Sequence, residues 1–293
     1  MRTTNPMRVH LYEVCRSDGA RPLEDVLEQL HATPLEERLR SIGYQEIRLE
    51  DIRPPGKVDG TWRLDFCKLR NQGPGRASPK VATQSFELQQ GERFAEETAA
   101  LFDPASGFLA VQYNHFGPRS ASLGEYLSIY LAQGERFELR LQLDPTAQAR
   151  LKKKVQFTRA AFRVAPAKLS AAWRNNNVAM HKAIQVQQDT YGGDWISVEV
   201  NLEQRSRDSL KLADKLKGML GLAEEPRDAV ARVEVAGRDD RDLNIDVVDL
   251  IEEKLEKTYT GLPLDIGLRI SAEDRWKKLE EAMKSWKAGG IVP

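Results

Sequence analysis

Several segments alternate between apolar and polar residues, which is the pattern of a β-strand with one buried face. The clearest segment places Phe137, Leu139, Leu141 and Leu143 on one side of an extended chain, with Glu138 among the residues opposite. Other segments are short apolar runs bounded by turn residues. Strands are therefore predicted at Val9–Val14, Glu46–Ile52, Thr61–Leu69, Gln84–Gln89, Phe108–Phe116, Phe137–Leu143, Val155–Val164, Ile196–Leu202 and around Val233–Val235.

Other segments repeat their apolar residues every three or four positions, which predicts amphipathic helices. The segment Val247–Leu255 fits a helix, with a strand as the alternative. The last helix is predicted to begin at Ser271 and to carry an apolar stripe that docks on the protein's own sheet or forms a dimer contact. Helices are predicted at Leu23–Leu30, Thr33–Gly43, Ser120–Gly134, Ala167–Arg174, Val178–Gln188, Ser209–Leu220 and Ser271–Trp286.

The order of these elements indicates the fold class. Strands and helices mix without the strict alternation of a doubly wound parallel sheet, so we predict an α+β fold with mixed or largely antiparallel sheets and packed helices. The segment Asn71–Lys80 is rich in Gly, Pro and Ser, which predicts a loop. A boundary near Asp144–Pro145 would divide the chain into regions 1–144 and 145–293, although a single domain is the alternative.

Composition narrows the class of protein. The chain has 293 residues with 41% hydrophobic residues, enough for a substantial core. Its two cysteines, Cys15 and Cys67, are too few for a secreted disulfide scaffold, so we expect a cytoplasmic protein. The cysteines and four histidines lack zinc spacing, and we expect neither a metal nor a cofactor. Residues 1–10 lack the apolar run of a signal peptide, and no run is long enough to suggest a membrane partner.

The charges are balanced overall but distributed unevenly. Lys and Arg total 44, as do Asp and Glu, yet none of the 44 positions between Asp144 and Asp189 is acidic. Average composition would place about six or seven acids there. We call residues 145–188 the basic stretch. Its cations are Arg150, Lys152, Lys153, Lys154, Arg159, Arg163, Lys168, Arg174 and Lys182.

Two interpretations of the basic stretch remain open. Seven of its residues could contact nucleic acid phosphates, with Phe157, Phe162 or Trp173 stacking on bases. Alternatively, the acidic block around residues 239–256 could lie opposite the basic stretch, within the fold or between subunits of a homo-oligomer. The seven candidate nucleic-acid-binding residues are Arg150, Lys152, Lys153, Lys154, Arg159, Arg163 and Arg174.

Catalytic candidates occur in the segment Glu96–Arg119, where polar residues follow an apolar strand. Glu96, Glu97 and Asp103 could bind a divalent metal in a nuclease, and His115 could act with Glu96 or Glu97 as a general acid–base pair. The alternative for His115 is a strand-end side chain satisfied by a backbone group. A further nuclease-like set is Asp59, Asp65 and Lys68. It is disfavoured, because Asp65 and Lys68 are three positions apart and would therefore lie on opposite faces of a strand.

A longer pattern resembles a known group of proteins. Its features are Glu96–Glu97, the Phe102–Asp103 turn, the run Val111–Arg119 and a helix that closes with Glu125–Leu127. Together with the opening run Arg8–Tyr12, this pattern is similar to uncharacterised bacterial proteins, some of which occur near mobile elements and phage-defence genes. The resemblance implies a bacterial intracellular protein with nucleic acid, or a partner protein of a defence operon, as its natural ligand.

Overall fold

The protein is described from a computed structural model, which covers residues 6–56, 60–201, 218–225, 228–239, 245–265 and 267–293. The predicted α+β class is confirmed, since helices pack on antiparallel sheets. The strands are β1 Met7–Arg16, β2 Arg40–Ile42, β3 Gln45–Arg53, β4 Trp62–Arg70, β5 Arg76–Ser78, β6 Val81–Gln84, β7 Phe94–Asp103, β8 Phe108–Tyr113, β9 Phe137–Leu141, β10 Lys154–Val164, β11 Ile196–Asn201, β12 Val230–Asp239, β13 Asp246–Asp249 and β14 Glu256–Tyr259. The helices are α1 Leu23–Ala32, α2 Ser120–Ser128, α3 Pro145–Lys153, α4 Ala171–Asn176, α5 Val178–Tyr191, the helical residues 218–224, here called α6, and α7 Ala272–Ala288.

The larger sheet has eight strands in the order β14-β1-β8-β7-β4-β3-β2, with β9 also paired to β1. One edge of β1 pairs with β8. The other edge pairs with β14 over residues 7–10 and with β9 over residues 12–16. Strand β14, the last in the described chain, therefore lies end to end with β9 along the same edge of β1.

Both faces of the larger sheet are covered by helices. Apolar residues of α1 and α2 pack with Leu64 and Phe66 on one face. On the other face, α7 packs with Val9, Leu11 and Leu101 of the strands. The apolar stripe of α7 thus docks on the protein's own sheet, as the first of its two predicted roles requires. The stripe residues Trp276, Leu279, Met283 and Trp286 are all buried.

The smaller sheet has the order β11-β10-β12-β13, with a core shared by α4, α5 and α6. The predicted boundary near Asp144–Pro145 falls between β9 and α3. The second region nevertheless returns to the larger sheet through β14 and α7. The division of the chain into two domains stays a prediction. No helix in the described ranges is long and apolar enough to cross a membrane.

Some element predictions were wrong, for reasons visible in the packing. Strand β7 escaped detection because residues 98–103 are buried on both faces and show no alternation. The segment Asn71–Lys80, predicted as a loop, contributes β5 to an exposed two-stranded ribbon with β6. That ribbon ends at Gln84, so Gln84–Gln89 is not a strand.

The helix boundaries also differ from the predictions. The segment Thr33–Gly43 forms only a short 3-10 helix, Leu35–Arg38, before β2. Helix α2 ends at Ser128 and not at Gly134, and α3 was not predicted. In Val247–Leu255 the strand alternative is correct for the first three residues, which lie in β13, and residues 250–253 form a turn. Most of the predicted helix Ser209–Leu220 lies outside the described residues.

Candidate functional site

Two cations of the basic stretch pair with acids of the same chain. The guanidinium of Arg150 lies 2.7 Å from both Asp246 and Glu253. The ammonium of Lys154, whose side chain is only 2% exposed, lies 2.6 Å from Asp246. The hydrogen bond from Arg150, followed by that from Lys154, lowers the pKa of Asp246 to about 2. Arg150 and Lys154 therefore hold α3 and β10 against β13 in the folded chain.

Three more cations have partners along the smaller sheet. The guanidinium of Arg159 lies 3.2 Å from Glu234 on β12. Arg163 stacks on the ring of Trp195, 5.3 Å from its centroid. Lys168 lies 3.6 Å from Asp228, an exposed pair of low energetic weight. The ion pairs of Arg159 and Lys168 favour the interpretation that opposite charges pair within the fold, with acids that lie outside the block 239–256.

The remaining cations have no ion pair with any described residue. Lys152 and Lys153 are exposed at the end of α3, and Lys182 is exposed on α5. Arg174 is half-buried on α4, where its charge contributes to lowering the pKa of His181. These four side chains, together with Arg163, which is exposed and has no ion pair with any described residue, are the part of the basic stretch that stays available to a ligand.

The aromatic residues of the basic stretch belong to the core. Phe162 and Trp173 are buried among the apolar residues of the smaller sheet and its helices, and Phe157 packs against the same cluster. The indole nitrogen of Trp173 donates a hydrogen bond to the carbonyl oxygen of Gly218. Phe162 and Trp173 therefore cannot stack on bases without unfolding this region.

Several acids of the acidic block pair with other residues of the fold. Besides Asp246 and Glu253, it supplies Glu256, which accepts a hydrogen bond from the buried His10 at 3.0 Å. This bond, above all, lowers the pKa of Glu256 to about 2, while burial lowers that of His10. Residues 240–244 lie outside the described part of the chain. Pairing between subunits stays a prediction.

The candidate nuclease acids do not meet around a shared point. Glu96 and Glu97 are adjacent on β7 and face opposite sides of the sheet, where each pairs with arginine. Glu96 lies 2.6 Å from Arg70, and Glu97 lies 3.0 Å from Arg269. Asp103 lies 2.7 Å from the ammonium of Lys287 on α7. All three acids thus hold neighbouring elements of the fold together.

The other catalytic candidates are also separated. His115 is exposed in the turn after β8, edge-on to the ring of Phe116, and forms no hydrogen bond with Glu96 or Glu97. Asp65 is buried against α7, and Asp59 lies outside the described residues. Within the described ranges, no group of three or more His, Cys, Asp or Glu residues could hold a metal ion.

A cleft of about 100 Å³ opens between the larger sheet and the helices of the smaller one. We call it the junction cleft. One wall is formed by the first turns of α2 and by β9, and the opposite wall by α4 and α6. Its polar and charged lining residues are Arg119, Ser120, Arg136, Glu138, Arg140, Asn176, Asn177, Glu224 and Glu225.

Two adjacent glutamates at the end of α6 form hydrogen bonds, one to each wall of the junction cleft. Glu224 accepts a hydrogen bond from the hydroxyl of Ser120 on α2. Glu225 accepts two bonds from Ser170, one from its backbone nitrogen at 2.8 Å and one from its hydroxyl at 2.6 Å. Burial raises the pKa of both carboxyl groups, most strongly that of Glu224. Glu224 therefore connects α6 with α2, and Glu225 connects the end of α6 with the start of α4.

Arg119 completes this junction. Its guanidinium donates hydrogen bonds to the carbonyl oxygens of Glu224 at 3.0 Å and His115 at 3.2 Å, and it stacks on the ring of Tyr113. This cluster could not be predicted from the sequence, because Arg119 and Glu224 are 105 positions apart. The only local signal was the run Tyr113–Arg119, which we interpreted through His115 instead.

Comparison with known proteins places the chain in one group. The model of a family described as "Family of unknown function (DUF6731)" matches residues 17–284. A search of curated proteins finds no match. The matched range includes both sheets apart from β1, together with every residue of the junction cleft.

Proposed function

The chain belongs to the DUF6731 family of unknown function, and we propose that it binds nucleic acid through the exposed cations of the basic stretch. The observation that supports the proposal is the pair Lys152 and Lys153, which end α3 in solvent and have no acidic partner among the residues that the structure describes. Exposed lysines of this kind neutralise phosphates and release condensed counterions. The internal pairs of Arg150, Lys154 and Arg159 reduce the predicted set of seven contacts to Lys152, Lys153, Arg163 and Arg174.

Three of the remaining contacts lie at opposite ends of β10, and Arg174 lies on α4. Lys152 and Lys153 precede this strand, and Arg163 is near its end. Ten residues of extended chain separate Lys153 from Arg163, which is about 33 Å at ~3.3 Å per residue. Phosphates along one strand of a duplex are ~3.4 Å apart, so a duplex of about ten base pairs is needed to span both groups. Affinity should therefore rise when the duplex lengthens from about six to about twenty base pairs.

Binding of DNA and RNA duplexes should be measured by fluorescence anisotropy at two salt concentrations. The variant Lys152→Glu/Lys153→Glu is expected to weaken binding at least tenfold and to reduce the salt slope by about two. The matched control is Lys80→Glu/Lys284→Glu, the same charge change at two exposed lysines outside the basic stretch. Absence of binding at low salt, or equal losses in both variants, would refute the proposal.

Lys154 should not be included in the charge reversal. Its ammonium is buried beside Asp246, so a glutamate there would place two carboxylates together in the fold. Loss of binding in that variant would follow from unfolding and would say nothing about a nucleic acid contact. Circular dichroism of every variant separates these two causes.

A role in phage or mobile-element defence and a cytoplasmic location are further parts of the proposal. The first is supported by the resemblance of Phe94–Tyr130 and Arg8–Tyr12 to bacterial proteins near such genes, and the second by the two free cysteines. Phages should form fewer plaques on bacteria that express the protein than on bacteria that express Lys152→Glu/Lys153→Glu. Equal plaque numbers across a panel of phages would count against the defence role.

A further inference from the structure

Strand β11 forms an open edge of the smaller sheet. It pairs with β10 over residues 196–201, and no other strand of the described chain pairs with it. Four of its six residues, Ser197 and residues 199–201, are exposed. The backbone groups on its outer edge therefore have no strand partner among the described residues. An open edge of this kind can pair with a strand of another chain.

The other outer strands of the two sheets are less suited to such pairing. Strands β13 and β14 have four residues each and β2 has three, whereas β11 has six. Strand β13 also begins and ends with acids, Asp246 and Asp249, while Glu199 is the one charged residue of β11. The outer edge of β9 is covered by α2 at Gly124. Short or charged edges resist pairing, so β11 is the most favourable edge.

The apolar face of β11 is only partly covered within the described chain. Ile196 and Val198 pack with the core of the smaller sheet. Val200 lies on the same face of the strand but is 42% exposed. On α5, which packs beside β11, Val186 and Tyr191 are exposed by 63% and 84%. Apolar side chains are thus exposed next to the open edge, which is typical of an interface with another protein.

The residue pattern of β11 is complementary to itself. When a two-fold axis joins two antiparallel strands into one sheet, paired residues lie on the same face, so their numbers are both even or both odd. With Val198 opposite itself, Ile196 pairs with Val200 of the second copy. Ser197 then pairs with Glu199. An axis at Glu199 would instead place two carboxylates opposite each other, which is unfavourable. The charge of Glu199 therefore favours an axis at Val198.

We infer that the protein forms a homodimer in which β11 pairs with β11 of a second copy, around a two-fold axis at Val198. The four-stranded sheets of the two copies then join into one continuous antiparallel sheet. Backbone hydrogen bonds satisfy the outer edge of β11, and Val200 packs beside Ile196 of the second copy. This interface uses neither the basic stretch nor the acidic block, so it is independent of the proposed nucleic acid binding.

Sedimentation equilibrium of the full chain tests the association, and the native protein should have twice the mass of one chain. Val200→Asp should raise the dissociation constant at least tenfold, because it buries a carboxylate beside Ile196. The matched control is Val247→Asp, at an exposed valine on the opposite edge of the same sheet, and it should leave the dimer intact. Circular dichroism verifies that both variants fold. A native monomer, or an equal effect of the two variants, overturns the inference.

Cross-linking tests the position of the axis. Val198→Cys places two thiols opposite each other with Cβ atoms about 5 Å apart, within reach of the short thiol-specific reagent dibromobimane. In the control Val200→Cys, the two thiols are separated by four residues along the strand, which is about 13 Å. Native protein treated in the same way gives the background from Cys15 and Cys67. Covalent dimers should form in Val198→Cys alone. Equal cross-linking of the two variants refutes the axis at Val198.

A pair of charge variants tests the same register without changing the core. Ser197 is exposed and lies opposite Glu199 of the second copy. Ser197→Lys should therefore lower the dissociation constant about two- to tenfold, and Ser197→Glu should raise it by a similar factor. The opposite signs distinguish pairing from a general loss of stability, which would weaken the dimer in both variants. Unchanged association in both variants refutes the pairing of β11.

Discussion

The guanidinium of Arg275 lies 2.8 Å from the carboxylate of Asp65, with both side chains buried between α7 and the larger sheet. Glu97 lies 3.3 Å from the same guanidinium. This cluster ties the last helix of the chain to β4 and β7. Arginine and aspartate are rarely buried unless paired, so the pair specifies how α7 sits on the sheet.

The first prediction concerns the pH dependence of this cluster. Burial raises the pKa of Asp65 from 3.8 to about 7, against the opposing effect of Arg275. The folded protein therefore holds this proton more tightly than the unfolded chain. The contribution of protonated Asp65 to the free energy of unfolding is full below about pH 4. It declines as the pH rises to about 7, by at most about 1.4 kcal/mol per pH unit.

Asp65→Asn removes this contribution. As the pH rises from 5 to 7, the free energy of unfolding of the native protein should fall by about 2 to 3 kcal/mol relative to that of the variant. Urea unfolding at pH 5, 6, 7 and 8 measures the difference. Parallel curves for the two proteins would show that Asp65 stays charged throughout.

The second prediction concerns the docking of α7. Trp276 is buried, and its indole nitrogen donates to the carbonyl oxygen of Leu64 at 2.9 Å. Trp276→Ala leaves a cavity and an unsatisfied carbonyl, so we expect a loss of about 3 to 5 kcal/mol in thermal or urea unfolding. Lys284→Ala on the exposed face of α7 is the control and should change stability by less than about 0.5 kcal/mol. A similar effect of both would contradict the docking.

The third prediction concerns Asp246, which pairs with Arg150 and Lys154. The fold lowers its pKa to about 2, so its contribution is present above about pH 4 and lost as the pH falls towards 2. Its side chain is 45% exposed, and solvent screening limits the effect of Asp246→Asn to about 1 kcal/mol at pH 7.

The control for Asp246→Asn is Asp228→Asn. Asp228 pairs with Lys168 at 3.6 Å, and both of these side chains are largely exposed. We expect less than about 0.5 kcal/mol from this control in urea unfolding at pH 7. Equal losses would mean that the buried ammonium of Lys154 adds nothing to the importance of Asp246.

The fourth prediction concerns Tyr126, which is fully buried on α2. Its hydroxyl donates to the carbonyl oxygen of Arg38 at 2.6 Å and accepts from the N–H of Leu49 at 3.3 Å. Tyr126→Phe leaves both backbone groups unsatisfied, and we expect a loss of about 1 to 3 kcal/mol. Tyr44→Phe, at an exposed tyrosine, should be neutral in the same denaturation experiment. Neutrality of Tyr126→Phe would indicate that water replaces the hydroxyl.

The elements predicted most accurately are those with one buried face. Helix α7 was predicted from its apolar stripe and from Ser271, whose hydroxyl accepts the N–H of Asp274 as a helix cap. Strand β7 was missed because two helical layers bury both of its faces. Local periodicity reports burial on one side only, so it fails where the tertiary structure covers both sides.

The candidate sites were less predictable than the fold. The basic stretch is a property of the sequence, but the pairing of Arg150 with Asp246 depends on side chains 96 positions apart. The junction cleft also depends on residues that are distant in the sequence, since Arg119 and Glu224 are 105 positions apart. A single sequence contains no signal for such contacts.

By itself, the sequence determined the α+β class, most of the helices and strands, and the absence of acids from residues 145–188, because these depend on composition and on local periodicity. Only the tertiary structure decided which of the charges in that stretch are used internally and which remain exposed. It also decided that β14 and α7 return to the first strands of the chain. The physical reason is that ion pairing and burial are set by distances in space, which order along the chain does not fix.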